Sequence, residues 1–185
     1  MGRAPILCMQ IDEDLQLRLL ETCYAEEYYR LIDRNRTHLG RWMPWVKYEN
    51  SPETTKAYIH QSLVHFANDE AMQTSIWYRG QLIGSIGFPR LHWSDRTAEI
   101  GYWLDAEAQG RGVITRACRA LINYAFERYN MNKVEIHTAV GNVRSRAVPE
   151  RLGFTLESII PQHQWLHDRY VDVVIYGLFR RDWQG

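Results

Sequence analysis

A run in the middle of the chain, Gln109-Gly110-Arg111-Gly112-Val113-Ile114-Thr115, has the composition of an anion-binding turn. Before it lies an alternating stretch in which Glu99, Gly101 and Trp103 face one way and Ala98, Ile100, Tyr102 and Leu104 the other. After it, Ile114, Ala117, Cys118, Leu121 and Ala125 fall on one helical stripe. The first N–H groups of such a helix lack partners and point outward together, and the helix dipole favours negative charge there. Glycine removes the Cβ that would hold a phosphate away from the backbone. The turn therefore predicts a phosphate or pyrophosphate site. It matches neither common phosphate loop, since the chain has only a single Gly-x-Gly here. Taken alone, Gly-Arg-Gly is also an ordinary strand-to-helix turn.

Two further groups carry chemical potential. Asn142-Val143-Arg144-Ser145 opens a short helix, with Asn142 in the position of a cap. Pro149 in that helix cannot donate to the carbonyl of Ser145, so the turn is distorted there. Glu99 lies on the central strand, where burial would raise a carboxylate's pKa into a range suited to proton transfer. The alternative for Glu99 is a structural acid paired with an arginine such as Arg96. His137, on a neighbouring strand, is a second proton acceptor or simply a packed histidine. No His, Cys, Asp or Glu group has metal-ligand spacing, and His163-x-x-x-His167 on a strand is not a zinc motif, so no metal is expected.

The elements that must position these residues follow from patterning. Residues 6–11 and 15–20 read as short strands around the acidic turn Asp12-Glu13-Asp14, followed by a helix over 25–36 with Tyr28, Leu31 and Ile32 inward. Leu39-Gly40-Arg41-Trp42-Met43-Pro44-Trp45-Val46 has no period and is broken by Pro44, which predicts a loop with an aromatic surface. Ser51-Pro52-Glu53 starts a second helix that ends near Asn68. Strands are expected at 73–79 and 82–91, joined at Gly80-Gln81, with Gly84 and Gly87 marking a bulge or a close backbone approach. The central strand 97–104, the long helix, a strand at 133–140 and the short helix 143–152 follow, closed by Gly153. Strands at 155–160, 162–167 and 170–179 finish one mixed α/β domain over residues 1–185.

Composition sets the outer bounds. The chain has 185 residues, enough for one domain with a substantial core. Lys+Arg and Asp+Glu both number 22, and this balance gives no reason to expect nucleic acid or an anionic membrane as partner. No apolar run approaches the ~20 residues that span a bilayer. The start, Met-Gly-Arg-Ala-Pro, is too poor in charge and apolar length for a signal peptide. Cys8, Cys23 and Cys118 form neither a disulfide framework nor a metal knuckle, which points to a reducing cytoplasm.

Two motifs carry a family resemblance. Gln109-x-x-Gly112, directly after a strand ending Tyr-Trp-Leu, resembles the pyrophosphate loop Arg/Gln-x-x-Gly-x-Gly/Ala of the GNAT superfamily of acyl-CoA-dependent N-acyltransferases. Position 114 is Ile where that pattern has a small residue; the loop donates backbone groups, so the departure changes little. Gly141-Asn142-x-x-Ser145-Arg-Ala-Val-Pro-Glu-Arg-Leu-Gly-Phe resembles the RimJ/RimL-type branch, and within it the YdaF-like members. Leu39-Gly-Arg-Trp-Met-Pro-Trp45 resembles that branch's Leu-x-x-Trp-Leu-Pro-Trp segment near the acceptor groove. For Trp42, plain packing is the simpler reading.

The resemblance implies a fold in which strands 97–104 and 133–140 splay apart and pair with the amide-bearing arm of acetyl-CoA. It places the pyrophosphate on Gln109, Gly110, Arg111, Gly112, Val113, Ile114 and Thr115, and has Asn142 hold the cofactor. A backbone N–H around Tyr102, Trp103 or Leu104 would polarise the thioester carbonyl. Ser145 would protonate or hydrogen-bond the leaving thiolate, and Glu99 is the candidate base. Some relatives use a Glu as base at the position held here by Gln164, which cannot take a proton. Of Arg111, Arg116, Arg119, Arg144 and Arg146, one or two could reach the CoA phosphates. The expected reaction is direct attack by an amine in a ternary complex, since neither motif contains a cysteine. The expected acceptor is a protein N-terminal amine, ribosomal proteins first. The alternatives are a small amine (polyamine, aminoglycoside or amino acid) or a non-catalytic CoA sensor. Trp93 and Trp165 suggest a homodimer.

Overall fold

The structure, a computed structural model, describes residues 7–185. Ile6 of the expected first strand, and the leading Met-Gly-Arg-Ala-Pro, lie outside the described residues. The order is β1 (Cys8–Gln10), β2 (Leu15–Leu19), α1 (Ala25–Arg34), α2 (Arg36–Gly40), α3 (Pro52–Ala67), β3 (Met72–Tyr78), β4 (Gln81–His92) and β5 (Thr97–Leu104). Then come α4 (Val113–Glu127), β6 (Lys133–Ala139), α5 (Val143–Arg151), β7 (Thr155–Leu166) and β8 (Arg169–Phe179). All eight strands join one sheet in the order β1-β2-β3-β4-β5-β6-β8-β7.

Every neighbouring pair is antiparallel except β5 and β6, which are parallel. That parallel ladder is short. It holds Thr97 to Lys133, Ala98 to Val134 and Glu99 to Glu135, and then stops. Beyond it β5 runs on to Leu104 while β6 stays paired to β8 as far as Ala139 and Val173. The two central strands therefore splay, and the backbone groups on the facing edges from Ile100 and Ile136 onward have no strand partner. A β4 irregularity lies opposite the point of departure. The register slips between Gly87 and Arg90, where Pro89 has no N–H to give, and Pro89 packs 3.4 Å from the Cβ position of Gly101. The glycines of β4 are close-approach sites: a Cβ on Gly84 would stand 2.4 Å from the Trp103 carbonyl, and one on Gly87 2.1 Å from that of Met72.

One face of the sheet packs on α4, whose Val113, Ala117, Cys118, Leu121, Ile122 and Ala125 meet Ile86, Ala98, Ile100, Val134 and Ile136 in the main core. The other face carries α1 and α3 over the β3–β5 side, where Tyr28, Leu31, Ile32 and Ile59 meet Trp77, Leu82 and Trp103. Ser51 caps α3 in a reciprocal box with Thr54, and Pro52 occupies its first turn as expected. Four local expectations need correction. The helix predicted over 25–36 ends at Arg34, because the Asn35 side chain turns back to the Leu31 carbonyl at 2.9 Å and the chain restarts as α2. The segment predicted as loop is α2 plus a 3-10 helix over Pro44–Tyr48, which Pro44 begins rather than breaks. The β3–β4 turn is Arg79-Gly80, both with positive φ (51° and 76°), not Gly80-Gln81. Strands 155–160 and 162–167 are one strand: Pro161 costs a bulge between Ile160 and Gln164, not a break, and Gln162 N–H is met by Asp172 Oδ1 at 2.8 Å.

Candidate active site

The splay opens onto a cavity of about 1460 Å³ that runs from the loop before α4, between β5 and β6, to the tryptophans after α2. Tyr102, Trp103, Leu104, Gln109, Gly110, Arg111, Gly112, Val113, Ile114, Thr115, Asn142 and Ser145 all line it. Sequence separation of more than 40 residues is erased by the α4 crossover, which returns the chain to the same end of the sheet.

At one end the wall is backbone. Asp105 caps the 3-10 turn Ala106–Ala108 through the Glu107 N–H at 3.3 Å, and is itself paired with Arg34. Burial pushes the Asp105 carboxyl up, but hydrogen bonds from Arg34, the Glu107 N–H and Asn35 outweigh it and hold the group below its ordinary value. The loop is thereby tied to the end of α1. Gly110 and Gly112 have φ of 77° and 69°, a region in which a Cβ is strained. Gly112 is the N-cap of α4 and offers no side-chain cap; the first intrahelical bond is Arg116 N–H to the Gly112 carbonyl at 3.1 Å. The N–H groups of Val113, Ile114 and Thr115 are thus without a helix partner and available to an anion. No protein atom lies within 4 Å of a Cβ built on Gly110 or Gly112, so the space above the turn is open.

The arginines divide. Arg111, Arg116 and Arg144 line the cavity, with Arg116 paired to Asp12 at 2.5 Å and Arg144 donating to the Gln109 side chain. Arg119 is turned to the Gly185 carbonyl and Arg146 to the Tyr176 hydroxyl at 3.1 Å, away from the cavity wall. Arg151, which patterning did not single out, lines the cavity and donates to Thr115 Oγ1 at 2.9 Å. The Gln109 amide also meets His38 Nε2 at 2.8 Å. Burial, then Arg144 and Arg41, lower the His38 pKa, which favours the neutral ring as acceptor.

Residues 14–155 match the acetyltransferase (GNAT) domain family. The chain belongs to this family. It is 38% identical over 177 residues to YdaF of Bacillus subtilis (strain 168), covering 95% of this chain and 97% of that one. It is 33% identical over 169 residues to the ribosomal-protein-serine acetyltransferase of Escherichia coli (strain K12), covering 91% and 94%. Among solved structures it resembles RimL, the ribosomal L7/L12 α-N-protein acetyltransferase, in complex with coenzyme A. There the TM-score is 0.91 at 26% identity, over 94% of this chain and 98% of that one. The protein is an acetyl-CoA-dependent N-acetyltransferase of GNAT fold.

In this acetyltransferase the middle of the cavity brings two hydroxyls together. Ser145 Oγ donates to the Tyr102 hydroxyl at 3.2 Å, and that hydroxyl donates to the Ser145 carbonyl at 3.0 Å. Burial pushes the Tyr102 hydroxyl far above its ordinary pKa, so it stays protonated. Asn142 Oδ1 accepts the Ser145 N–H at 3.3 Å, which realises the cap and leaves its amide group for the cavity. The Tyr102 hydroxyl was not anticipated; Tyr102 stood out only for its backbone.

Glu99 is placed differently from the expectation. It is 20% exposed, lies off the cavity wall, and faces Arg90 (4.0 Å), its cross-strand partner, rather than Arg96. Its other oxygen is 3.9 Å from His137 Nδ1. His137 does line the cavity, and its Nε2 meets Glu135 Oε2 at 2.9 Å. The His137 hydrogen bond first, and Lys133 at 2.8 Å next, hold the Glu135 carboxyl down to about 2 against the opposing effect of burial. Gln164 also lines the wall.

At the far end the wall is side chain. Tyr28, Trp42, Met43, Trp45, Tyr58 and Trp103 line it together with Glu49, the one carboxylate lining the cavity among the described residues. Trp103 stacks edge-on to Tyr28 at 5.3 Å and lies 6.4 Å from Trp45. The Trp42 ring also sits 3.3 Å from the Cβ position of Gly141, so it packs and lines at once. Among the described residues no group of three or more His, Cys, Asp or Glu could hold a metal, and no helix is long and apolar enough to cross a membrane. Cys8 and Cys23 are exposed and Cys118 is buried, all three free.

Proposed function

We propose that residues 1–185 act as one cytoplasmic N-acetyltransferase domain that acetylates the N-terminal amine of a protein, with ribosomal proteins the leading class. The observation that carries this reading is the cavity lining, which among the described residues holds several aromatic side chains and a single carboxylate, Glu49. A polyamine with several ammonium groups would call for several carboxylates there, whereas one α-amine on an uncharged chain calls for one. Two relatives, a ribosomal-protein-serine and an L7/L12 α-N-protein acetyltransferase, are named for the same class of acceptor, whereas the spermidine N(1)-acetyltransferases of Vibrio cholerae and Escherichia coli match at 25% and 20% identity. The balanced charge of 22 against 22 supports no nucleic acid or membrane partner, and exposed Trp93 and Trp165 support a homodimer.

Bound acetyl-CoA supplies a thioester whose carbonyl the amine attacks directly. In our reading the N–H groups of Val113, Ile114 and Thr115, with Gln109, Gly110, Arg111, Gly112 and Asn142 around them, hold the phosphate-bearing half. The open edge of β5 at Tyr102, Trp103 and Leu104 holds the amide-bearing arm and the carbonyl. The Ser145–Tyr102 hydroxyl pair stabilises the leaving thiolate by hydrogen bonding. His137 takes the proton from the amine through Nδ1, Glu135 positions the ring through Nε2, and Glu99 at 3.9 Å from Nδ1 stabilises the charge that forms there. The cavity lining contains no cysteine, which supports direct attack over an acyl-enzyme.

The test is thiol release from acetyl-CoA against N-terminal peptides, spermidine and aminoglycosides, with products mapped to the acetylated nitrogen. Turnover confined to peptides, at the α-amine, supports this function. Turnover on a small amine alone reassigns the acceptor. Tight acetyl-CoA binding with no turnover favours the sensor reading, to which Gln164 in place of an acid lends its weight.

A further inference from the structure

The cavity is electrically polarised along its length. Its cofactor end carries Arg111, Arg116, Arg144 and Arg151, whereas its aromatic end is lined by Glu49 and, among the described residues, by no lysine or arginine, Arg36 reaching only the Glu49 carbonyl from outside the lining. Glu49 is half-buried and held in place. Its Oε2 accepts from Thr55 Oγ1 at 2.8 Å, its carbonyl accepts from Arg36, and its N–H reaches the Val46 carbonyl at 3.3 Å. Among the described residues no hydrogen bond or ion pair engages Oε1. The Tyr58 hydroxyl is raised above its ordinary pKa by burial, with Glu49 adding to the shift, so it does not compete as an anion. A fixed carboxylate whose charge is felt by Tyr58 and Tyr28, in a cavity also lined by Trp45 and Trp103, offers a primary ammonium both a negative charge and aromatic rings.

We propose that Glu49 and the aromatic rings around it form the seat that receives the acceptor amine in its ammonium form, ahead of deprotonation and transfer. This deepens the N-terminal reading and rests on it. Glu49 is then a specificity-determining residue for the acceptor and has no part in holding acetyl-CoA. The seat has a pH signature. A peptide α-amine has a pKa of about 7.7–8.0, so it is largely ammonium at pH 7 and largely neutral at pH 9. A carboxylate that recognises the ammonium is useful at the first pH and idle at the second.

The experiment compares wild type with Glu49→Gln on a Ser-initiated peptide at pH 7 and pH 9, measuring KM for peptide and for acetyl-CoA. The seat predicts a rise in peptide KM of about tenfold at pH 7, close to the loss of one charge-assisted contact, and an unchanged KM for acetyl-CoA. At pH 9 the difference in peptide KM shrinks toward nothing. An unchanged peptide KM at pH 7 overturns the proposal. A rise that persists undiminished at pH 9 also overturns it, because a lost Thr55 contact or a misplaced wall would act at both pH values. Wild-type turnover of spermidine with none of any peptide overturns the N-terminal reading instead. In that case Glu49→Gln on spermidine still decides the seat: a raised spermidine KM at pH 7 supports it and an unchanged one refutes it.

Discussion

The two ends of the cavity are built from different materials. The end near α4 is built chiefly on main chain, two glycines in the left-handed region, three helix N–H groups without partners and the unpaired edge of β5, with Arg111, Arg116, Arg144 and Arg151 around it. The end near α2 is made of side chains delivered by separate elements: Tyr28 from α1, Trp42 and Trp45 from the segment after α2, Glu49 before α3, Tyr58 from α3 and Trp103 from β5. Main-chain groups are the same whatever the residue, so in the proposed reading the first end serves an acyl donor of fixed chemistry. Side chains can be exchanged without moving the sheet, so in the proposed reading the second end is where acceptor choice resides.

Breaking the main-chain end has the largest expected effect. Gly112→Glu puts a charge and a side chain into the open space above the α4 N-terminus, and acetyl-CoA affinity should fall more than about 100-fold by calorimetry. Gly112→Ala sharpens the point. Its Cβ meets no protein atom, so its cost is the left-handed backbone, about 1 kcal/mol of stability, with a much smaller loss of affinity. If the two variants lose affinity equally, the open space is not the donor site.

Next in size are the groups between the two ends. Ser145→Ala and Tyr102→Phe should each lower kcat by roughly 10–100-fold while leaving acetyl-CoA affinity within a factor of a few, and the double variant should be little worse than either single one. Full additivity in steady-state kinetics would mean the two hydroxyls act apart. His137→Gln should lower kcat by about tenfold or more at pH 7, with the deficit narrowing at pH 9 as the amine loses its proton unaided. Glu99→Gln should do less, because Glu99 reaches the cavity only by way of His137. A larger loss in Glu99→Gln than in His137→Gln would reverse their assigned roles.

The smallest expected effect is on stability. Glu135 has its carboxyl pKa held at about 2 in the fold against an ordinary 4.5, so its ionised form stabilises the fold above pH 4.5, and that contribution is lost as pH falls toward 2. Glu135→Gln should cost about 1–3 kcal/mol at pH 7 in urea unfolding, and the gap to wild type should close between pH 4.5 and 2. A gap that stays constant through that range would remove the ionic explanation.

The same division explains what the sequence disclosed. Gly110 and Gly112 between an alternating strand and an apolar helical stripe announce a main-chain device by local spacing, and α4, β5 and the cap at Asn142 appear where spacing puts them. The splay itself depends on where the β5–β6 ladder ends, a non-local fact that only the family resemblance implied. The aromatic end was beyond spacing, because Tyr28, Trp45, Glu49, Tyr58 and Trp103 share no period and meet only once α1 and α3 fold over the sheet. Glu99 was drawn correctly onto a strand face, but which neighbour it meets follows from the β4 bulge, which sets Arg90 opposite it. Arg151 escaped notice because it sits at the far end of α5 from the motif.

The central claim is that the donor is held by unpaired main chain in the gap between β5 and β6 and at the start of α4. Amide hydrogen exchange with and without coenzyme A addresses it directly. The account predicts new protection at residues 100–104 and 113–115, with the amides around Trp45 and Glu49 unchanged. Protection confined to the aromatic end, or none along the β5 edge and the first turn of α4, would contradict it.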